Sequence, residues 1–269
     1  MAQTDSSGIP NGPAGQHRIG VVVPYDMALD RELWRWTPPE ASLFFTRTPD
    51  EMLPVTLEMT EKVGDPQVVL TAARSLRSLA PVSYFYACTS GSFVRGLAAE
   101  QHLVEALRAT GAPAATASGA VLTALAYLNA RLVSIATPYD EPITRRLVEF
   151  LGEAGVTVAG EAYLNIREDI PFVPYHRTAE LIRSADRAEA EAIVVSCTNL
   201  PTYDLIAPLE DQLGKPIITA NQAGMWAALR NCGLDAVGPG QRLLGTEPTP
   251  PLTQQYGHDQ VLHSGPEQP

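Results

Sequence analysis

The chain has 269 residues, 45% of them hydrophobic and 18% charged, which is enough apolar material for a sizeable core without disulfides or structural metals. Its formal net charge is −11, so a surface that tracks nucleic-acid phosphates is excluded as the leading reading. No window approaches the ~18 apolar residues that a transmembrane helix requires. The three cysteines, Cys88, Cys197 and Cys232, are too few and too odd in number for a disulfide framework and point to a reducing compartment. The opening residues lack the layout of a signal peptide, so a cytoplasmic protein is expected.

In chain order, residues 1–17 read as a loose tail, polar and rich in Gly and Pro. Short apolar runs then alternate with segments of helical period. The buried strands expected are Ile19–Val23, Val82–Ala87, Leu132–Ala136, Ala192–Ser196 and Pro216–Thr219, with weaker ones at Leu43–Thr46, Ala112–Thr116 and Val156–Ala162. Runs this short and this apolar fit a parallel sheet covered on both faces. Helices are expected over about 92–110, stopping at Gly111, and after the N-cap Asp140, with Pro142 in its first turn and Gly155 beyond its end. Three more are expected over about 178–190, 203–213 and 222–231. Residues 246–269 read as a second loose tail. The alternation predicts βαβ units and an α/β fold.

Two segments recur. Ile19 to Asp26 and Leu132 to Asp140 are each an apolar strand closed by Pro-Tyr-Asp. Tyr84 to Ser90 resembles Ile193 to Asn199, each a strand closed by Cys-Thr. Two features repeating in the same order at nearly equal offsets imply a duplication into two similar lobes. We expect the first lobe to hold residues 18–125 and 220–245, and the second 126–219.

In an open parallel sheet, ligands bind beyond the carboxyl ends of the strands. Cys88 and Cys197 both fall there, so facing lobes would bring a sulfur to each side of a small substrate. Thr89 and Ser90, and Thr198 and Asn199, follow the sulfurs in turns whose free N–H groups suit a carboxylate and favour thiolate over thiol. The blander reading of a free cysteine is a small buried hydrophobe. Pro24, Tyr25 and Tyr139 end the two repeated strands; the tyrosines are either carboxylate contacts or packing aromatics. Asp26 and Asp140 are expected to cap helices. Cys232 is read as structural, and His102 and His176 as solvated or capping. No metal-ligand spacing, Gly-x-Gly-x-x-Gly or Walker loop is present, so neither metal nor cofactor is expected. Asp30–Glu40, with Trp34 and Trp36, is either a lid over the cleft or an aromatic anchor.

With Ala87-Cys88-Thr89-Ser90 and Ser196-Cys197-Thr198-Asn199-Leu200 in view, the chain resembles the aspartate/glutamate racemase superfamily, and within it maleate cis-trans isomerases and arylmalonate decarboxylases. Val23-Pro24-Tyr25-Asp26 through Trp36 also resembles the A proteins of ectoine-utilisation clusters. The resemblance covers about residues 18–245. It implies two pseudo-twofold-related Rossmann-like lobes with parallel sheets, and cofactor-independent isomerase chemistry on a small carboxylate. It assigns Cys88 as the attacking thiol, Cys197 as its proton-transfer partner, and Tyr139 and, by a loose alignment, Asn165 as substrate contacts. A two-base racemase stays open, as does a ligand-sensing domain without turnover. Decarboxylases of this kind have glycine at the first cysteine, so Cys88 speaks against that reaction. Maleate isomerases follow the first-strand proline with Ser-Ser-Asn, whereas Tyr25-Asp26-Met27 stands here. An aspartate facing a dicarboxylate would repel it. A homo-oligomer is expected, without membrane or nucleic-acid partners.

Overall fold

Two parallel sheets of four strands share one topology. The computed structural model describes residues 16–245. The first sheet is built from β1 (His17–Val23), β2 (Ala41–Arg47), β3 (Ser83–Tyr86) and β4 (Ala114–Thr116), in the order β2-β1-β3-β4. The second comprises β5 (Leu132–Thr137), β6 (Thr157–Tyr163), β7 (Ala192–Val195) and β8 (Ile217–Thr219), in the order β6-β5-β7-β8. All eight strands lie where the apolar runs placed them, and both sheets are parallel throughout. The expected α/β architecture of two repeated lobes is therefore the observed one. The expected tail over residues 1–17 ends too late, because His17 opens β1 and its N–H donates to the Glu40 carbonyl at 3.0 Å. Residues 1–15 and 246–269, which carry the rest of the two tails, lie outside the described residues.

The helices are α1 (Asp30–Arg35), α2 (Leu57–Val63), α3 (Pro66–Arg74), α4 (Thr89–Phe93), α5 (Leu97–Arg108), α6 (Ala117–Tyr127), α7 (Glu141–Glu153), α8 (Tyr175–Ala185), α9 (Ile206–Leu213) and α10 (Ala220–Arg230). Side-chain caps start several of them. Asp65 accepts from the Gln67 N–H at 2.8 Å with Pro66 in the first turn, and Asp140 caps α7 as expected, with Pro142 inside. The helix expected over 92–110 is broken into α4 and α5, because Gly96 takes φ of 85°, which an α-helix cannot contain. α1, α2, α3 and α6 come in addition to the expected helices, although Asp65-Pro66 carries the start signal of α3. α6 is apolar on nearly every side, so it shows no polar face to set a helical period.

A third internal repeat appears only in the structure. Thr116 at the end of β4 caps α6 through the Gly119 N–H, and Thr219 at the end of β8 caps α10 through the Gln222 N–H. These two helices pack on each other, and α10 also lies against β3, β4 and β8. α10 is buried along its whole length, and Gly224 is what lets it approach β3. A Cβ there would stand 2.0 Å from the Phe85 ring. Gly224→Val is therefore expected to destabilise the fold by about 1–3 kcal/mol through overpacking. An unchanged denaturant midpoint would show that the helix has slack to move.

α1 answers whether Asp30–Glu40 is a lid. Glu32 is buried and accepts from the Thr202 and Tyr203 N–H groups at 2.7 and 2.8 Å and from Asn221 Nδ2 at 2.8 Å. Trp36 is fully buried, and its Nε1 donates to Gln241 Oε1 at 2.9 Å. The segment is an anchor that ties the end of β1 to the second half of the chain.

Candidate active site

The carboxyl ends of β1, β3, β5 and β7 meet at one small cavity. Its wall is made by Pro24 and Asp26 after β1, Cys88, Thr89 and Ser90 after β3, Tyr139 after β5, and Cys197, Thr198 and Asn199 after β7. Val55, Met59 and Ile170 close the remaining apolar side. The innermost chamber has a volume of about 20 Å³, room for a single water. It continues into a vestibule of about 380 Å³ between residues 52–55 and 167–172, with Asp26, Val55, Ile170 and Asn199 on the boundary.

Eight of the ten residues expected at the site therefore line one cavity: Pro24, Cys88, Thr89, Ser90, Tyr139, Cys197, Thr198 and Asn199. Two do not. The Tyr25 hydroxyl turns away and bonds the Leu53 backbone, donating to its carbonyl at 2.8 Å, so this side chain holds the vestibule loop. The strand repeat made it the counterpart of Tyr139, but Pro24-Tyr25 runs directly into a turn rather than into a long helix. Asn165 is exposed in a left-handed turn after β6, with φ of 55°, and lines neither the chamber nor the vestibule. Its N–H donates to the Tyr139 carbonyl, so it braces the tyrosine's backbone instead.

Among the eight, the side chains of Thr198 and Asn199 are already engaged. Thr198 Oγ1 donates to the Ala87 carbonyl at 3.0 Å. Asn199 Nδ2 donates to the Asp26 carbonyl, and its Oδ1 accepts from the Ala28 N–H, both at 2.9 Å. These bonds fasten the two cysteine turns and the β1 loop to one another.

Each sulfur has matched surroundings. Cys88 is the N-cap of α4, and the Gly91 N–H and Tyr86 hydroxyl near its sulfur pull its thiol down. Cys197 receives the Asn199 N–H at 3.3 Å and stands against the Tyr139 hydroxyl. Tyr86 was missed in the sequence, although it lies two residues before Cys88 and a strand puts such positions on one face. The backbones differ. Cys88 is extended, whereas Cys197 holds φ of 108°, a strained value for any residue with a Cβ. Strain of this kind costs about 1–3 kcal/mol and is retained where it aims a side chain.

The expectation of two activated thiolates is corrected by burial. Burial pushes the Cys88 thiol up to about 11 and the Cys197 thiol up to about 12, against the pull of the tyrosine hydroxyls and backbone N–H groups. The Asp26 carboxylate adds to both shifts. Desolvation outweighs the helix-terminus effect because both sulfurs are nearly inaccessible, at 3% and 7% exposure. At neutral pH only about one Cys88 thiol in ten thousand is then ionised. Alkylation of Cys88 is expected to run about 300-fold slower than that of free cysteine and to climb about tenfold per pH unit above neutrality. Unfolded cysteine ionises near 8.5. The stability these thiols confer is thus complete below that value and is lost as pH rises toward 11–12. Peptide mass spectrometry across pH tests this, with rapid labelling of either cysteine at neutral pH as the contrary result.

Asp26 was expected to be a cap. It is not; Asp140 caps α7, but Asp26 faces the cavity. Its Oδ1 is buried without a hydrogen-bond partner, and burial raises its carboxyl above the usual carboxylate range. Among the described residues, no three or more His, Cys, Asp or Glu side chains gather as a metal site, and no helix is long and apolar enough to cross a membrane.

A family model described as arylmalonate decarboxylase matches residues 37–244. The chain is 37% identical over 151 residues to arylmalonate decarboxylase of Bordetella bronchiseptica, a match over 54% of this chain and 62% of that one, so less than two thirds of that relative is spanned. It is 30% identical over 171 residues to maleate isomerase of Nocardia farcinica, covering 60% of this chain and 68% of that protein. In three dimensions, a liganded double mutant of arylmalonate decarboxylase superposes with a TM-score of 0.77 at 30% identity, over 87% of this chain and 99% of the other. A Nocardia farcinica maleate cis-trans isomerase mutant with a covalently bound succinylcysteine intermediate superposes with a TM-score of 0.75 at 26% identity, over 85% and 98%. With its two repeated parallel sheets and the match spanning most of its length, the chain belongs to the arylmalonate decarboxylase family.

Proposed function

We propose that this protein is a cofactor-independent isomerase of a small carboxylate, with Cys88 and Cys197 as its reacting groups. One observation carries the reading: two cysteines, one from the carboxyl edge of each sheet, line the same buried chamber. The covalent succinylcysteine seen in the Nocardia farcinica isomerase supports the same chemistry here.

In the cis–trans form of the reaction, the Cys88 thiolate bonds to the alkene carbon β to the carboxylate. The π electrons move toward the carboxylate as an enediolate. Cys197 delivers its thiol proton to the α-carbon, and the former double bond rotates as a single bond. The Cys197 thiolate then recovers a proton from the α-carbon, the Cys88 sulfur leaves, and the trans alkene forms. Backbone N–H groups of the turns after both cysteines, together with Tyr139, oppose the charge that develops on the carboxylate. Burial raises both thiols, so on this reading substrate binding lowers Cys88, whose proton passes to solvent before the sulfur adds and returns when it leaves.

A second reading has its own observation. Asp26 lines the chamber, where a dicarboxylate would bring a further negative charge beside it. That favours inversion at an α-carbon: one thiolate removes the α-proton, the enediolate forms, and the opposite thiol returns a proton to the other face. The two readings separate in one pair of measurements. A substrate mass retained on Cys88 with Cys197→Ser supports addition. Solvent deuterium at the α-carbon without any change of double bond supports inversion. Absence of both across small unsaturated, α-amino and α-hydroxy acids would leave the site without isomerase chemistry.

A further inference from the structure

We propose that Asn221 is a positioning residue that sets the Cys197 sulfur by clamping the Thr198–Asn199 peptide plane, with Ser118 as its counterpart at the Cys88 turn. This deepens the isomerase reading and rests on it for the role of Cys197.

One peptide is held at both ends. Asn221 Nδ2 donates to the Thr198 carbonyl at 2.9 Å. The N–H of the same peptide, that of Asn199, donates to Cys197 Sγ at 3.3 Å. In a trans peptide the carbonyl and the N–H share a plane and point opposite ways, so fixing the oxygen aims the hydrogen. Among the described residues no peptide bond is cis. Asn221 is 1% exposed, and its other amide hydrogen goes to Glu32 Oε2 at 2.8 Å. With an acceptor on each side, the amide must present its nitrogen, and the side chain has no second orientation that serves both.

The turn at Cys197 is one that needs such a clamp. Its φ of 108° persists only where the surroundings over-determine it. The Asn199 N–H is also one of the groups that pull the Cys197 thiol down. Without it, the Tyr139 hydroxyl would stand alone against burial and against the charges of Asp26 and Cys88.

The duplication repeats the contact with different chemistry. Thr116 caps α6 and Thr219 caps α10, and two residues beyond each cap stands a short polar side chain, Ser118 or Asn221. Ser118 Oγ donates to the Thr89 carbonyl at 2.9 Å, as Asn221 does to that of Thr198. Each donor therefore reaches the carbonyl of the threonine that follows a cysteine. Ser118 is braced by the Ser92 hydroxyl, and Asn221 by the Glu32 carboxylate. Ser92 Oγ also reaches the Thr89 carbonyl, at 2.9 Å, so the extended Cys88 turn has a second holder. A hydroxyl on one side and an amide on the other share only the donated hydrogen bond, which makes that bond the feature the turns require.

Iodoacetamide labelling at one mildly alkaline pH, read by peptide mass spectrometry, reports both thiols in the same molecule. Asn221→Ala is expected to slow Cys197 labelling about tenfold or more, the worth of a hydrogen bond to a charged group, and to leave Cys88 within about twofold of wild type. Asn221→Leu, nearer in volume, makes the same test should alanine not fold. Asn221→Ser copies the donor of the other half and should recover most of the loss. Glu32→Gln weakens the same buried cluster but leaves Asn221 on Thr198, so it should lower the melting temperature without altering the ratio of the two labelling rates. The assignment is overturned if loss of the amide changes both cysteines by one factor, speeds Cys197, or leaves the ratio at its wild-type value. It is equally overturned if serine recovers nothing, or if Glu32→Gln shifts the ratio as far as alanine does. Labelling needs no substrate, so the two readings part cleanly. A selective loss at Cys197, with the turnover of Cys197→Ala intact, keeps the clamp and removes Cys197 from the isomerase reading. Lost turnover in Cys197→Ala, with an unchanged labelling ratio in Asn221→Ala, does the reverse.

Discussion

Alanine at either Cys88 or Cys197 is expected to lower turnover at least ~1000-fold while the fold persists. On the proposed mechanism each sulfur has its own role, since the two line the chamber from different sheets. Removing a positioned proton-transfer group or nucleophile costs about 10²–10⁴ in rate. Burial holds both thiols in the neutral form at neutral pH, so replacing one sulfur by hydrogen removes no charge partner and leaves only a small void. The double variant should be scarcely slower than either single one, because residues that act as a unit lose activity non-additively. Turnover of Cys197→Ala within tenfold of wild type would mean that one sulfur suffices. Relief of backbone strain offers a further check. Cys197→Gly removes the Cβ at a φ of 108° and is expected to raise the melting temperature relative to Cys197→Ala.

Glu32→Ala is expected to be the most damaging single change to stability described here, at about 3–5 kcal/mol. The side chain is 8% exposed, and its two oxygens satisfy the Thr202 and Tyr203 N–H groups and the Asn221 amide. Alanine would strand those three buried donors, each costing about 1–3 kcal/mol without a partner. For a protein of this size that corresponds to a fall in melting temperature of roughly 6–20 °C. Arg35, on the same short helix, is the control. It pairs with Asp204 through two hydrogen bonds of 2.6 Å and covers the Tyr203 ring at 3.6 Å. Both partners are substantially exposed, at 40% and 50%, so Arg35→Ala should cost only about 1 kcal/mol. If the two variants lose equal stability, the buried carboxylate is not the tie that this arrangement makes it.

The strands were readable because a parallel sheet covered on both faces demands unbroken apolar runs, and eight such runs stand out between turn residues. The Pro-Tyr-Asp and Cys-Thr echoes survived duplication because each ends a strand at the edge where the two halves face each other. α6 escaped notice for the opposite reason: a helix buried on all sides has no polar face to mark its period. Tyr25 shows the limit of arguing by repeat. Its counterpart Tyr139 packs beside Cys197, while Tyr25 follows a different turn and bonds Leu53. Val55, Met59 and Ile170 close the chamber from segments whose local sequence carries no chemical signal.

The amino-acid order alone determined the layer architecture, the duplication and the identity of the two cysteines, because periodicity and strand-end position are local properties of the chain. The protonation of those thiols, the inward turn of Asp26 and the anchoring of Asp30–Glu40 were decided only by tertiary structure. Each depends on how much water is excluded and on which distant groups, Asn199, Thr202 or Gln241, arrive as partners, and no local pattern encodes either.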